Sequence, residues 1–370
     1  MIDARRARLL LAGWAMVAAG AALACSSDTG GPQGGTRSYL MGFSDFPPAP
    51  DTALLRRSIE MWNSRSDAAI MHIDPPWAAL LAGGSADSLV RADVLPLVQG
   101  YRSIGKVIAI EIDLTNGINR TAEAAALVAL GRSITEDTVQ KLYESYVVAL
   151  AAITQPEYLG LASETNLVRA ADPSGVYAAI VQMTNVAAPR VRAVSSARLY
   201  VSVQIEVAWG RLVGTSAYVG VAQDRGDFPF IDVLGESSYP YLGGWTDPDQ
   251  IPDDYFSRPA SAPTIPVLIS EGGWSSTDVP NVHSTPALQA KWISRGATLA
   301  ANAHAVAWFQ LDFSDINLRA FGHDPNDPQI APFVYIGLVD TVLTPKPALA
   351  VWDSVFALRH AGATARHVTP

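Results

Sequence analysis

The sequence predicts an α/β protein, a single (β/α)8 TIM barrel preceded by a signal peptide and a flexible tether. Short runs of branched apolar residues alternate with longer amphipathic segments along the 370 residues. They recur at intervals of roughly 30 to 50 residues, as repeated strand–helix units do. Apolar residues make up 49% of the chain and charged residues 16%, enough for a large core. An open, doubly wound sheet is the alternative, but no glycine-rich phosphate loop follows the first run.

Eight runs have the length and composition of buried parallel strands. They are Tyr39–Phe43, Ala68–Ile73, Val107–Ile112, a run from Tyr158 towards Glu164, Leu199–Val207, Phe230–Leu234, Pro266–Ile269 and Ala305–Leu311.

Helical periodicity fills the intervals between these strands, and caps or prolines mark several helix starts. Helices are predicted over Thr52–Asn63, over Asp87–Ser103 with an interruption near Pro96, from a Thr135 cap to Leu150, from Asp172-Pro173 towards Ala188, and from Pro286 and Pro347.

The N-terminus has the layout of a targeting segment. Arg5, Arg6 and Arg8 precede the apolar stretch Leu9–Leu23, which predicts a signal peptide over residues 1–24. Cys25, the only cysteine, follows small residues and resembles the lipidated cysteine of a bacterial lipoprotein. An ordinary secretory signal with an incidental cysteine is the alternative.

The remaining boundaries follow from composition. Residues 25–37 are predicted to be a lipidated cysteine and a flexible tether, 38–362 the barrel, and 363–370 a C-terminal tail. We expect an exported protein anchored to the outer membrane or cell surface through its lipid, or otherwise secreted. The net charge of −9, with no basic cluster beyond the extreme N-terminus, argues against nucleic-acid binding.

Two glutamates carry the functional prediction. Glu271 follows the apolar run Val267-Leu268-Ile269 and precedes two glycines, which allow a tight turn and leave room beside the carboxylate. Glu164 follows a second apolar run in the same way. Parallel strands deliver their carboxyl ends to one face of a barrel, so both carboxylates are expected at one site. Such a pair is typical of glycoside hydrolases.

Other side chains at predicted strand ends suit sugar binding, because carboxylates and amides bind hydroxyls and aromatic rings stack on sugar rings. We expect Trp308 to stack on a sugar. The remaining candidates are Asp45, His72, Asp74, Asp113, Asn166, Tyr239 and Gln310.

The segment Ile231–Tyr241 resembles the sixth-strand signature of the endo-β-1,4-galactanases, which belong to the clan A retaining glycoside hydrolases. The resemblance extends in layout over the catalytic domain. It implies a (β/α)8 barrel in which Glu164 is the acid/base, Glu271 is the nucleophile, and Tyr239 positions the nucleophile. The arginine that clan members carry near the end of strand two has no counterpart in Ile70–Trp77.

The sequence thus predicts a retaining glycoside hydrolase of a β-linked plant or microbial polysaccharide, galactan-like and cut internally. The long loop Leu242–Ala262 favours the open cleft of an endo mode. No metal-ligand cluster is visible, and the mechanism requires no cofactor. Glu111, Glu206 and Glu236 are rival carboxylates, with Glu206 interpreted as a buried structural acid. A non-catalytic glycan-binding surface lipoprotein and a transglycosylase are the functional alternatives.

Overall fold

The computed structural model describes residues 35–44, 46–120, 122–171, 175–212, 217–262, 264–280 and 282–362. Their framework is a sheet of parallel strands. The strands are β1 (Leu40–Ser44), β2 (Ala68–Ile73), β3 (Val107–Ile112), β4 (Tyr158–Gly160), β5 (Arg198–Tyr200 continuing as Ser202–Gln204), β6 (Leu234–Ser238), β7 (Val267–Gly272) and β8 (Ala307–Gln310).

The sheet closes on itself. The two pieces of β5 stand at opposite ends of its hydrogen-bonded order, so Arg198–Tyr200 pairs with β4 while Ser202–Gln204 pairs with β6. β8 pairs with β1, and all pairs are parallel. The predicted eight-stranded (β/α)8 barrel is confirmed.

Helices surround the barrel. They are α1 (Thr52–Asn63), α2 (Trp77–Leu81), α3 (Ala86–Asp93), α4 (Leu95–Ser103), α5 (Ala125–Ala129), α6 (Asp137–Thr154), α7 (Thr165–Ala171), α8 (Val176–Arg192), α9 (Ile205–Ala208), α10 (Ala222–Asp227), α11 (Pro286–Asn302) and α12 (Pro347–Phe356). A further two-stranded parallel sheet joins Thr36–Arg37 to Arg359–His360.

Two large rings fill the barrel interior. Tyr200 and Phe309 point inward among small and branched side chains. Glycines on neighbouring strands make room for them. A Cβ on Gly42 would lie 2.7 Å from the Phe309 ring, and Cβ atoms on Gly160 and Gly235 would each lie 2.7 Å from the Tyr200 ring. The interior is therefore a packed layer of side chains beneath the carboxyl ends of the strands.

Several sequence-based boundaries were wrong. β5 ends at Gln204, and α9 follows where the strand was expected to continue. β6 covers Leu234–Ser238 rather than Phe230–Leu234, because small polar residues form its upper half. β7 extends to Gly272, so Glu271 lies within the strand. Glu136, rather than Thr135, occupies the N-cap position of α6. The predicted Asp172-Pro173 start lies outside the described residues.

The segment 311–346, which we call the β8 loop, lies over the carboxyl end of the barrel. It contains two short 3-10 turns, Leu318–Phe321 and Ala331–Phe333. Gln289 on α11 donates from Nε2 to the carbonyls of Ile336 and Gly337, each over 3.0 Å. Tyr241 donates its hydroxyl to the Pro332 carbonyl over 2.9 Å. These bonds hold the loop in place above the interior.

Within the described ranges, no helix has the length and apolar character needed to cross a membrane. No group of three or more His, Cys, Asp or Glu side chains suited to a metal ion occurs in that part of the chain.

Candidate active site

Glu164 and Glu271 line one cavity of about 240 Å³ at the carboxyl end of the barrel. Both are buried, with 8% and 9% of their surface exposed. Ser237 on β6 joins them, since its Oγ lies 2.7 Å from Glu164 Oε1 and 2.8 Å from Glu271 Oε1. The two Oε1 atoms are therefore at most 5.5 Å apart, the sum of these distances. That limit lies below the roughly 6.5 to 9.5 Å between the carboxyl groups of inverting glycosidases and is compatible with the roughly 5 to 5.5 Å of retaining ones.

A β-bulge directs Glu271 into the cavity. Leu268 faces the barrel interior, so strict alternation along β7 would turn Ser270 inward and Glu271 outward. The pairing with β6 instead shifts by one residue, from Glu236 opposite Ile269 to Ser237 opposite Glu271. Bulges near active sites re-aim side chains in this way. Gly273, two positions on, leaves no room for a side chain, since a Cβ there would lie 2.9 Å from the branched Cβ of Ile336.

Glu164 sits at a sharp turn between β4 and α7. Its φ of 45° lies in the left-handed region, which non-glycine residues seldom adopt. Its backbone N–H donates to Ser202 Oγ over 2.8 Å, and Ser202 donates to Glu111 Oε1 over 2.6 Å. The neighbouring strand β5 therefore holds the strained turn, as is common for functional residues.

Arg120, in the loop after β3, is the site residue that the sequence analysis missed. It donates from Nε to Glu164 Oε2 over 2.7 Å and forms an ion pair with Asp113. Burial lowers the pKa of Arg120. The negative charges of Asp113, Glu164 and Glu271 together raise it by more, so the pKa lies well above its usual value. A buried permanent cation beside two acids was not foreseeable from a loop arginine with no motif around it.

The Ser237 hydroxyl lies within hydrogen-bond distance of both carboxyls. A serine hydroxyl has one hydrogen and can donate it to only one carboxyl. The other contact is a hydrogen bond only if that carboxyl is protonated and donates to Oγ. Burial, followed by the charges of Glu164 and Glu111, raises the pKa of Glu271 well above its usual range. The pair can therefore share one proton through the Ser237 hydroxyl.

Four further polar side chains line the cavity, namely His72, Gln204, Tyr239 and Asp312. His72 Nε2 lies 3.6 Å from Glu271 Oε2. Tyr239 is buried, and burial together with Glu271 raises the pKa of its phenol well above the usual value. Its hydroxyl makes no hydrogen bond to Glu271 in the described structure, where Ser237 makes that contact instead. Asp312, at the end of β8, is 1% exposed, and neither carboxyl oxygen has a hydrogen-bond partner among the described residues.

Two strand-eight candidates do not reach this cavity. Ala307 and Phe309 face the barrel interior, so Trp308 and Gln310 face outward. The Trp308 ring centroid lies 5.1 Å from that of Trp352 on α12, and its indole packs on Gly296 of α11. Gln310 donates to the Ile336 carbonyl over 2.8 Å. The expectation of sugar contacts from both was wrong, because alternation assigns inward and outward positions only once the register is known.

Other candidates have structural positions. Asn166 is fully buried, with Nδ2 and Oδ1 bound to the carbonyl and N–H of Gln204, which ties α7 to β5 instead of reaching a substrate. Asp113 pairs with Arg120 and does not line the cavity itself. Asp74 is exposed and outside the cavity lining. Asp45 and Cys25 lie outside the described residues.

The rival carboxylates are buried elsewhere. Glu111 stands beneath the cavity, bound to Ser202. Glu206 accepts the backbone N–H of Tyr239 over 3.0 Å and the hydroxyl of Tyr255. Glu236 faces outward from β6, and burial together with Glu206 raises its pKa well above its usual value. None of the three lines the cavity.

Comparison with known proteins gives matches at the level of structure. The chain resembles an exo-β-1,4-mannosidase from Opitutaceae bacterium strain TAV5, with a TM-score of 0.61 and 15% identity over 87% of this chain and 60% of that one. A family 39 glycoside hydrolase from Bacteroides cellulosilyticus WH2 gives a TM-score of 0.59 and 18% identity, over 87% and 64%. A GH113 β-1,4-mannanase gives 0.54 and 13%, over 87% and 98%.

No family profile and no curated protein matches the sequence. The chain spans less than two thirds of the length of the mannosidase and of the family 39 enzyme. Identities this low establish the fold, which is the parallel (β/α)8 barrel shared with clan A glycoside hydrolases. The specific resemblance to galactanases is not confirmed by these neighbours.

Proposed function

We propose that this protein is a retaining glycoside hydrolase that cleaves a β-linked glycoside by double displacement. One observation carries the proposal, namely that Ser237 Oγ contacts the carboxyls of both Glu164 and Glu271 within a single cavity. The spacing suits a retaining pair, and the fold is shared with proteins described as β-1,4-mannosidase and β-1,4-mannanase.

In the first displacement, ionised Glu271 attacks the anomeric carbon while protonated Glu164 gives its proton to the departing oxygen. A glycosyl ester on Glu271 forms, and the leaving alcohol departs. Glu164, now a carboxylate, then removes a proton from water. The water oxygen attacks the anomeric carbon and frees Glu271.

This chemistry needs the proton on Glu164, so a proton that resides on Glu271 must first be transferred. Ser237 supplies the path. Glu271 donates its proton to Ser237 Oγ while the Ser237 hydroxyl proton passes to Glu164 Oε1. The net charge of the pair is unchanged. A substrate oxygen near Glu164, which would accept a hydrogen bond from the protonated acid, favours the transferred state.

Arg120 and Asp312 complete the site. Arg120 lowers the pKa of Glu271 through its charge and so supports the ionised nucleophile. Burial and Asp315 raise the pKa of Asp312 well above its usual value, which favours the neutral acid, a form that can donate to a sugar hydroxyl. A deeply buried polar group facing a cavity without partners is best satisfied by a ligand.

Chemical rescue tests the proposal. Glu271→Gly should lose roughly 10³-fold or more of its activity, and added azide should form a glycosyl azide of inverted configuration. Glu164→Ala should form the azide of retained configuration. Glu206→Gln, which changes a buried glutamate outside the cavity, is the matched control. A glycan-binding protein without turnover would release no sugar in any variant and would overturn the proposal.

The finer sequence-based predictions remain proposals. One such proposal is that the substrate is a galactan-like polysaccharide cut internally, although the cavity of about 240 Å³ favours a smaller substrate. Export and anchoring through a lipid on Cys25 are another, supported by the arginines and apolar stretch before that residue. Labelling cells with a radioactive fatty acid tests the anchor, since Cys25→Ser should abolish the incorporated label.

A further inference from the structure

We infer that the substrate is a β-glycoside whose leaving group is an apolar alcohol, alkyl or aryl, rather than another sugar. This inference rests on the proposed function and names the substrate class of the same site. It begins from the distribution of polar and apolar side chains around the cavity.

The polar side chains are sufficient for one sugar ring. His72 and Arg120 lie beside the two glutamates, and Asp312 is the partnerless acid at the end of β8. The cavity of about 240 Å³ is smaller than the roughly 300 to 1,000 Å³ of sites that enclose a drug-sized ligand. A single monosaccharide unit therefore uses most of the enclosed space and the polar groups around it.

Two aliphatic side chains of the cavity lining, Leu167 and Ile118, lie close in the chain to Glu164 and to its partner Arg120. Leu167 lies one turn after Glu164 on α7, and its N–H donates to the Glu164 carbonyl over 3.0 Å. Ile118 stands two residues before Arg120, and both leucine and isoleucine line the cavity. The leaving oxygen must face Glu164 to receive its proton. The atoms beyond that oxygen therefore meet hydrocarbon.

The β8 loop adds further apolar residues to this lining, and we call the whole apolar part of the lining the apolar wall. Ile316, Ile330 and Val334 form a small apolar cluster, and Ile118 packs against it. Phe333 lines the cavity and stands edge-on to Tyr239, with ring centroids 4.9 Å apart. The Tyr241 hydrogen bond to the neighbouring Pro332 carbonyl fixes this stretch. The wall is thus preformed, which lowers the cost of binding.

A second sugar would fit this wall poorly. Its hydroxyls would lose water and find hydrocarbon, which costs free energy unless hydrogen bonds replace the lost ones. Within the described ranges no tryptophan lines the cavity, so an indole platform for a further sugar ring is missing there. Leu212, 37% exposed at the cavity edge, instead extends the apolar surface towards solvent.

A chain-length series tests the inference. Methyl, butyl, hexyl and octyl β-glycosides of glucose, mannose and galactose would be compared with the matching β-1,4-disaccharides by sugar release. For the accepted sugar, kcat/KM should rise about fourfold per added methylene until the wall is covered. The hexyl glycoside should exceed the disaccharide at least about tenfold. Binding of the hexyl glycoside to Glu164→Gln, measured by calorimetry, should show a negative heat-capacity change.

Substitutions locate the effect. Leu167→Asn and Phe333→Asn should each reduce the dependence of kcat/KM on chain length. Val128→Asn is the control and should leave that dependence unchanged, because Val128 on α5 is 62% exposed and lies outside the lining. Hydrolysis with no chain-length dependence, or with a preference for disaccharides, would overturn the inference and leave the proposed function standing. Absence of hydrolysis across glycosides and polysaccharides would overturn both.

Discussion

Arg120 Nε lies 2.7 Å from Glu164 Oε2, although the two residues are 44 positions apart in the chain. The contact is buried, and Asp113 completes it from the end of β3. A guanidinium is always charged in proteins, so the two glutamates of the cavity lie beside a permanent cation. Clan A members carry an arginine near the end of strand two, and this chain has none there. The loop after β3 instead brings Arg120 to the cavity.

Removing this charge should move the pH dependence of catalysis. Arg120 lowers the pKa of Glu271, so in Arg120→Gln that pKa rises further and the ionised nucleophile forms only at higher pH. The acidic limb of kcat/KM should therefore shift to higher pH. Arg120→Lys, which keeps the charge, should shift less. Because Asp113 would be left unpaired, the double variant with Asp113→Asn guards against misfolding. An unmoved limb in a folded variant contradicts the assigned role.

The bridging hydroxyl of Ser237 gives a second test. Its hydrogen bond lowers the pKa of Glu271, so Ser237→Ala should also move the acidic limb of the kcat/KM profile to higher pH. We expect kcat to fall roughly tenfold to a hundredfold because the proton path is lost. Ser237→Thr, which restores a hydroxyl, should recover much of both effects. A purely structural serine would change the thermal midpoint without changing the pH profile.

Trp308 should matter for stability and not for substrate. Its indole is 1% exposed between Tyr39, Trp352 and Gly296. Trp308→Ala should cost about 3 to 5 kcal/mol in the free energy of unfolding, measured by denaturant titration. The milder Trp308→Phe should leave KM within about twofold at a temperature where the variant is folded. A large rise in KM without loss of stability would contradict this prediction and indicate that Trp308 contacts the sugar.

Glu206 should make stability depend on pH. Burial raises its pKa to about 7 from 4.5, although hydrogen bonds from Tyr255 and the backbone lower it. A folded-state pKa above the unfolded one stabilises the protein fully below about pH 4.5, and the benefit is lost as pH rises through about 7. In Glu206→Gln this loss is absent, so the variant should gain about 3 kcal/mol relative to wild type between pH 4.5 and 8.

Denaturant titrations at several pH values measure this change. Glu60→Gln, at an exposed glutamate on α1, is the matched control and should follow the wild-type curve. If Glu206→Gln also follows that curve, ionisation of Glu206 does not limit stability above neutral pH.

Local patterns were sufficient for much of the framework. Thr52–Asn63, Ala68–Ile73 and Val107–Ile112 are the observed bounds of α1, β2 and β3, since amphipathic and branched apolar runs determine local conformation. The helix starts at Pro286 and Pro347 also agree with the structure, because proline suits the first helical turn. Where polar residues form a strand, as in β6, hydrophobic periodicity located it wrongly.

The sequence by itself determined the barrel class and the presence of two glutamates after apolar runs, because composition and periodicity act over short distances. Only the tertiary structure decided which side chains face the cavity. The bulge in β7 turns Glu271 inward, strand parity turns Trp308 outward, and loop folding brings Arg120 to Glu164. Each outcome depends on register or on contacts between distant segments, which the order of residues along one strand does not specify.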